Sequence, residues 1–413
     1  MAATIEHALS GVELSASAPP LQPRPTNPSQ VVEGTALASL DLSWREADLP
    51  QKDRTKHVHG LHPYLGKFVP QLVEVFLRKY FRPGQVVFDP FVGSGTTLVQ
   101  ANELGINAVG CDVSAFNVLL CRVKLTEYKL AQVREEALDA LDKTRQLSQR
   151  RQLWLWPAVT GNASVGGPRD SYLEQWFAPQ ALTELLTYRG LLDSEGYEYA
   201  DLLKVVLSRS ARSARLTTHF DLDFPKQPQR EPYWCYKHSR MCEPTEEALK
   251  FLERYTVDAL RRIEEFASRR SDAWCTIHHD DSRRMTCPAV HGVITSPPYV
   301  GLIDYHEQHA YAYHLLGLQD KRADEIGRAG NGSGQKARLA YQADIAGVLG
   351  RAMSAIPAGA RLIVVAGDRY DLYSGIARLI GAEVEATLQR HVNRRTGRRS
   401  SEFFETVFVW RKP

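Results

Sequence analysis

The chain has 413 residues, an apolar share of 43%, a formal net charge of +3 and a pI near 8.4. This composition is that of a folded globular protein and excludes a chain that is disordered throughout. The mildly basic balance suits nucleic-acid enzymes and many metabolic enzymes alike, and no apolar run is long enough to cross a membrane. The length predicts one large α/β domain with an insertion, or two domains.

The six cysteines do not form a regular disulfide framework, and no signal-peptide pattern is evident. Both observations favour a reducing cytoplasm. Cys235, His238 and Cys242 have a spacing that suggests zinc, but no convincing second pair of ligands lies near them in the sequence. We therefore expect no metal site.

The N-terminal part of the chain predicts a leader followed by the first half of an α/β domain. Residues 1–45 are rich in Ala, Ser, Pro and Thr, a composition typical of a flexible segment. Residues 46–130 then predict cofactor-binding elements. The first is an amphipathic helix that begins at Pro70 and ends before Pro83-Gly84.

A ligand-binding βα unit follows this helix. The strand at 86–88 runs directly into the glycine turn at 89–97, D-P-F-V-G-S-G-T-T, and a helix begins behind the turn. A second strand at 108–111 ends in Asp112. This succession of two strands joined by a turn and a helix, with an acid after the second strand, predicts the first half of a doubly wound sheet. The carboxyl ends of both strands are expected to face the binding crevice.

The middle of the chain changes character. Residues 131–270 combine charged helical stretches with an irregular basic and aromatic run between 209 and 243. Strand patterns resume in residues 271–413, the second half of the domain, at 275–278, 292–295, 361–366 and 404–410. The sheet is therefore expected to be split by a largely helical insertion.

The glycine turn admits three classes of ligand. A phosphate-binding P-loop needs Gly-Lys-Ser/Thr, but Gly95 is followed by Thr96, and a dinucleotide loop needs a third glycine where Leu98 stands. Gly93 and Gly95, with Asp89 before them, instead suit a ligand that presses a charged aminoacyl group against the turn. The alternative is a tight turn that binds nothing.

Residues 293–299, V-I-T-S-P-P-Y, predict a buried strand that ends in a rigid diproline loop. An exocyclic amino group is conjugated with its ring and weakly nucleophilic, so its catalyst must accept the N–H protons. The Ser296 side chain and the Pro297 carbonyl can accept them, the two prolines fix the direction of that carbonyl, and Tyr299 can stack on the base. The alternative is that the diproline only ends the strand.

Together the two motifs resemble those of the amino-group DNA methyltransferases, the cytosine-N4 and adenine-N6 methylases of restriction-modification systems. The resemblance rests on D-P-F-x-G-x-G at 89–95 and T-S-P-P-Y at 295–299, and it extends to 62–68 and 304–309. It implies a Rossmann-like α/β fold with a doubly wound, mostly parallel seven-stranded sheet. It also implies S-adenosylmethionine as the cofactor.

The resemblance further implies roles for individual residues. Asp112 would bind the ribose hydroxyls and Asp281 the adenine amino group, with the adjacent Asp280 as an alternative for the second role. The other cofactor-binding residues would be Lys67, Phe68, Asp89, Phe91, Gly93, Gly95 and Thr96. The catalytic residues would be Ser296, Pro297, Pro298 and Tyr299.

The order of the two motifs implies that residues 131–270 read double-stranded DNA, the alternative being a helical support domain without base contacts. The mixture of cations and aromatics that phosphates and bases require is supplied by Arg209, Arg212, Arg215, His219, Lys226, Arg230, Trp234, Tyr236 and Lys237. A second cluster of arginines includes Arg394 and Arg395.

Ser before Pro-Pro-Tyr is the form associated in this family with cytosine N4, whereas Asp or Asn is commoner for adenine N6. The reaction would be direct transfer to a flipped base, and a restriction endonuclease acting on the same site is a possible companion. Two other functions stay open: an RNA amino-group methyltransferase, and a nucleic-acid-binding protein that keeps the fold without activity. Methylation at cytosine C5 is set aside, because Cys287-Pro288 reverses the Pro-Cys order of that chemistry.

Overall fold

The computed structural model describes residues 25–154, 170–219, 221, 225–392 and 403–413. In chain order its strands are β1 (Val86–Asp89), β2 (Asn107–Asp112), β3 (Tyr233–Cys235), β4 (Arg240–Cys242), β5 (Cys275–His279), β6 (Gly292–Thr295), β7 (Arg361–Ala366), β8 (Glu383–His391) and β9 (Phe404–Arg411). Its helices are α1 (Gln51–Arg54), α2 (Pro70–Tyr80), α3 (Thr96–Glu103), α4 (Ala115–Leu125), α5 (Leu130–Trp154), α6 (Ser171–Trp176), α7 (Pro179–Ser194), α8 (Ala200–Ala214), α9 (Leu249–Ala267), α10 (Tyr305–Gln308), α11 (Ala310–Leu316), α12 (Gln335–Ala355) and α13 (Tyr373–Leu379).

Seven strands form one sheet in the order β5-β2-β1-β6-β7-β9-β8. The first five are parallel, and β9 runs antiparallel to both β7 and β8. The predicted Rossmann-like, mostly parallel seven-stranded sheet is therefore confirmed. The strand order reverses between β1 and β6, and in doubly wound sheets ligands bind in the crevice outside the carboxyl ends of the strands at such a point.

Helices cover both faces of the central strands. All four residues of β6 are buried, as are five of the six in β7, and both strands consist largely of Val, Ile and Leu. Such continuous apolar runs are typical of parallel strands that are covered on both faces. One face packs against α2 and α3, for example at Phe76 and Leu98, and the other packs against α12 and α13, for example at Leu349 and Ile376.

The prediction of a flexible leader is wrong for residues 25–45. Val31, Leu42 and Trp44 are buried in the apolar cluster that also contains α2, and the Trp44 indole donates a hydrogen bond to the Thr26 carbonyl at 2.9 Å. These apolar side chains are a minority in a segment that is rich in Ala, Ser, Pro and Thr, so average composition does not reveal them. Residues 1–24 lie outside the described residues.

The insertion between β2 and β5 is largely helical, as predicted, and contains α5 to α9 and the antiparallel hairpin β3-β4. Its helices share one apolar cluster with α4 and α11, so the insertion packs directly on the α/β core. The buried Glu184 carboxylate accepts the backbone N–H groups of Ala248 and Leu249, which ties α7 to the start of α9. None of the described helices is long and apolar enough to span a bilayer.

Candidate active site

A cavity opens outside the carboxyl ends of β1, β2, β5 and β6. The predicted residues that line it are Lys67, Phe68, Phe91, Gly93, Thr96, Asp112, Asp281, Ser296 and Pro298. Lining residues that the sequence patterns did not single out as site residues include Tyr64, Ser114, Asn117, Asp324 and Glu325.

Asp89, Gly95, Pro297 and Tyr299 do not line this cavity. The prediction that Asp89 and Gly95 line the ligand pocket is therefore corrected, because both residues lie behind the glycine turn and support it. Asp89 is 1% exposed and its carboxylate accepts the Thr295 hydroxyl at 2.6 Å and the Phe91 N–H at 3.1 Å. It therefore joins the end of β1 to the end of β6, next to the diproline loop.

The turn needs glycine at two positions. Gly93 has a φ of 49° and Gly95 a φ of 81°, in the left-handed region that other residues rarely adopt. A Cβ atom on Gly95 would lie 3.0 Å from the Cys121 sulfur, and one on Gly93 would lie 3.3 Å from the Tyr64 hydroxyl. Gly95 directly precedes α3, so the turn brings the N-terminus of this helix to the crevice.

Asp112 holds this turn in place from the end of β2. Its Oδ2 accepts the Gly93 N–H at 2.9 Å, and its Oδ1 accepts the Ser114 N–H at 2.8 Å and the Asn117 amide at 3.1 Å. Burial raises the pKa of Asp112 to about 6, although these hydrogen bonds act in the opposite direction. Oδ2 accepts one of the three bonds and keeps a lone pair for another donor, such as a hydroxyl of a bound ligand.

The structure separates the two candidate acids that follow β5. Asp281 is 7% exposed and lines the cavity, whereas Asp280 is exposed and its side chain accepts the Asp281 N–H at 2.8 Å. The Arg283 guanidinium donates to both Asp281 oxygens at 2.9–3.0 Å. Burial raises the pKa of Asp281, but the hydrogen bonds from Arg283 outweigh it, so the pKa is below its usual range.

The diproline loop after β6 is anchored at three points. The Ser296 hydroxyl donates to the Val365 carbonyl of β7 at 2.9 Å. The Pro298 carbonyl accepts the Tyr341 hydroxyl at 2.8 Å, and the Tyr299 hydroxyl donates to Glu405 of β9 at 2.9 Å. Because a hydroxyl has a single proton, the remaining lone pairs of Ser296 can only accept hydrogen bonds.

Replacing Tyr341 by Phe is expected to lower the free energy of unfolding by about 1 kcal/mol. The Tyr341 hydroxyl lies between the Pro298 carbonyl and the Tyr373 hydroxyl, 2.7 Å away, so the change leaves both groups without this partner in a buried place. Urea unfolding measures the effect. Tyr236→Phe is the matched control, since its side chain is 83% exposed; equal unfolding midpoints for the two variants would contradict the anchoring role.

Acidic residues dominate the charge around the cavity. Four carboxylates line it, and Lys67 is the single basic residue among the lining residues. The Lys67 ammonium donates to the His59 carbonyl at 2.7 Å, and burial, with the nearby charges of Lys124 and Arg262, lowers its pKa to about 7. The cavity therefore suits a ligand that carries positive charge and has one anionic group near Lys67.

The structure corrects part of the predicted DNA-contacting set. Arg209 forms an ion pair with Asp258 at 2.6 Å and stacks on the Tyr255 ring, and Arg215 is 3% exposed with its guanidinium 4.4 Å from the Tyr311 ring centroid. For Arg209 and Arg215, phosphate contact is therefore wrong in this conformation, since both hold the insertion together. Arg212 is half-buried, Lys226 and Arg230 are exposed, and Arg394 and Arg395 lie outside the described residues.

The sequence shows no convincing second pair of ligands near Cys235, His238 and Cys242, but the structure brings one further candidate ligand to them. His219, which precedes Cys235 by 16 residues, lies against them, and one ligand atom from each of the four side chains is within 4.8 Å of the others. The spacing of the three residues in the sequence does not indicate this cluster, because His219 belongs to the irregular segment before the hairpin.

Comparison of the sequence with known proteins finds one matching family and related enzymes. Residues 22–120 match the N6/N4 methyltransferase family, whose description is DNA methylase. The chain is 35% identical to the Type II methyltransferase M.MjaII of Methanocaldococcus jannaschii, over 87% of this chain and 81% of that protein. It is 22% identical to the Type II methyltransferase M.BsoBI of Geobacillus stearothermophilus, over 68% of this chain and 56% of that protein.

Among solved structures, the rRNA methyltransferase aviRa from Streptomyces viridochromogenes aligns with a TM-score of 0.34 and 14% identity, over 90% of this chain and 96% of that chain. The family assignment does not depend on this likeness, because M.MjaII is similar over most of both chains. The match to the family at residues 22–120 includes the glycine turn and Asp112. The chain therefore belongs to the amino-group (N6/N4) DNA methyltransferase family.

Proposed function

We propose that this enzyme methylates the N4 amino group of cytosine in duplex DNA and uses S-adenosylmethionine as the methyl donor. The observation that carries the proposal is the hydrogen bond from Ser296 to the Val365 carbonyl. With its proton donated there, the hydroxyl offers only lone pairs to a group that approaches it, and an exocyclic amino group presents N–H donors. Serine at this position is also the form that the family resemblance associates with cytosine N4.

The charges and hydrogen-bond acceptors that line the cavity suit this donor. The four carboxylates around it favour the positive sulfonium and ammonium groups, while Lys67 suits the carboxylate of the methionine part. Asp112 has the lone pair that a ribose hydroxyl needs, and Asp281 would accept from the adenine amino group. When bound, S-adenosylmethionine supplies an electrophilic methyl group.

The protein contributes orientation and hydrogen-bond acceptors. Ser296 and the Pro297 carbonyl would hold the amino group of a flipped base by accepting hydrogen bonds from its N–H groups, which lets the nitrogen lone pair turn toward the donor. The anchors of Pro298 on Tyr341 and of Tyr299 on Glu405 keep the loop fixed while this happens. No covalent bond between enzyme and base is required.

Nucleoside analysis tests the reaction and the target base together. DNA from a methylation-deficient host that expresses the chain is digested to nucleosides, and N4-methyldeoxycytidine is expected. N6-methyldeoxyadenosine would contradict the choice of base but keep the reaction class. The absence of both products, while purified protein binds S-adenosylhomocysteine, would contradict the proposed function. Labelled methyl transfer to duplex DNA and not to RNA separates this enzyme from an RNA methyltransferase.

The affinity for S-adenosylhomocysteine is expected to fall as the pH drops below about 6. Burial raises the pKa values of Asp89 and Asp112 to about 6, so both are ionised above this pH and protonated below it. A ligand that binds the ionised form of Asp112 loses affinity about tenfold per pH unit below this pKa. Asp89 does not line the cavity, and its protonation acts through the turn and the end of β6, which its carboxylate holds. Calorimetric titration between pH 5 and 8 measures the effect.

Acid unfolding through these two groups does not explain such a loss. Because their pKa values are higher in the folded than in the unfolded chain, protonation between pH 6 and 4 favours the folded state. Circular dichroism at each pH provides the control. A dissociation constant that stays constant from pH 8 to pH 5 would show that neither carboxylate must be ionised for binding.

A further inference from the structure

Four side chains in the insertion have the spacing of a tetrahedral metal site. The Cys235 sulfur lies 3.6 Å from Nδ1 of His219 and 3.6 Å from Nδ1 of His238, and the Cys242 sulfur lies 3.5 Å from Nδ1 of His238. Zinc bonds of about 2.3 Å to sulfur and about 2.0 Å to nitrogen put neighbouring S and N atoms of a tetrahedron about 3.6 Å apart. All three distances match this value.

The hairpin that carries three of these ligands lacks an apolar core. Strands β3 and β4 have three residues each, and the single buried residue of each strand is a cysteine, Cys235 or Cys242. Trp234, Tyr236 and Met241 are all more than half exposed. A two-stranded hairpin is at best marginally stable on its own, so an additional interaction is needed to hold this one.

The chemistry of the ligand set favours zinc. Two thiols and two imidazoles form a set that is typical of closed structural zinc sites. The Tyr233 hydroxyl accepts the backbone N–H of His219 at 3.1 Å and also lies 2.8 Å from Nδ1 of the His219 ring, and a metal ion on Nδ1 would replace this second contact.

We propose that His219, Cys235, His238 and Cys242 bind one structural zinc ion, which fastens the β3-β4 hairpin to the segment before it. All four ligands come from the protein, so the ion has no open position for a substrate and acts through folding. The fastened hairpin presents Trp234, Tyr236 and Lys237 to the surface.

Elemental analysis of the full-length, tag-free chain, purified in a phosphine reductant, tests the site. About one zinc per chain is expected in the wild type and in two controls, Cys287→Ser and Tyr233→Phe. Cys287 is a thiol outside the cluster, and Tyr233→Phe removes the competing hydroxyl and keeps all four ligands. The double variant Cys235→Ser, Cys242→Ser is expected to lose the zinc, while its binding of S-adenosylhomocysteine shows that the cofactor domain is folded.

A second measurement covers the case in which the double variant does not fold. Wild-type protein stripped with a chelator and titrated with Co²⁺ is expected to give thiolate charge-transfer bands and tetrahedral d–d bands that saturate at one equivalent. A metal-free wild type that gives no such bands would overturn the proposal. Two other results would also overturn the proposal: zinc that remains in a folded double variant, and a Cys235–Cys242 disulfide in the protein purified with reductant.

Discussion

Replacing Ser296 by Ala is expected to lower the kcat of methyl transfer by about 100-fold, the usual scale for losing one preorganised hydrogen-bonding group at a reacting centre. The hydroxyl is fixed by its bond to the Val365 carbonyl, so its lone pairs need no reorganisation when the amino group arrives. The variant keeps the rest of the cavity lining. The dissociation constant of S-adenosylhomocysteine is therefore expected to stay within about twofold of the wild type.

Single-turnover kinetics with labelled cofactor and duplex DNA separate the chemical step from product release. Ser354→Ala is the matched control, because its hydroxyl also donates to a backbone carbonyl but lies on an exposed part of α12. A Ser296→Ala enzyme that transfers methyl at the wild-type rate would remove Ser296 from the catalytic machinery. A parallel loss of cofactor binding would instead assign Ser296 a role in the pocket.

The central strands could be predicted because burial on both faces leaves a simple pattern. Val293 and Ile294 in β6 and the apolar run of β7 are continuous, and a glycine or proline turn stands beside each. Strand β8 has no such signal. It lies at the edge of the sheet and is mostly exposed, and among the described strands it pairs with β9 alone, so its sequence from Glu383 to His391 is largely polar.

The residues of the candidate active site also divide into those that a local sequence pattern indicates and those that it does not. Residues within one motif, such as Gly93 and Ser296, could be assigned because the spacing of the residues along the chain defines the motif. Contacts between distant segments could not be predicted in this way. The Tyr64 hydroxyl accepts a hydrogen bond of 3.1 Å from the Asn117 amide, and Glu325, which lines the cavity, belongs to a segment without a recognisable motif. Burial also decides what a charged residue does, and Arg215 shows that a cluster of arginines in a sequence is not by itself a DNA surface.

Replacing Asp112 by Asn is expected to raise the dissociation constant of S-adenosylhomocysteine by about 100-fold at pH 8, because a hydrogen bond to a charged group contributes about 1.5–3 kcal/mol. The amide has one acceptor oxygen in place of two. Its NH₂ group would face either the Gly93 N–H or the Ser114 N–H, both of which donate to the carboxylate now. The variant therefore loses an acceptor for the ribose and loosens the glycine turn.

Calorimetry at pH 8 and at pH 5.5 tests both consequences. The dependence on pH is expected to become shallower in Asp112→Asn, because the variant lacks the carboxylate that lines the cavity, and Asp89, whose pKa is also about 6, acts through the turn that it supports. Asp142→Asn is the control, an exposed acid on α5 that pairs with Arg145. If Asp112→Asn binds as tightly as this control, the acid at the end of β2 does not contact the ligand, and the cofactor must lie elsewhere in the cavity.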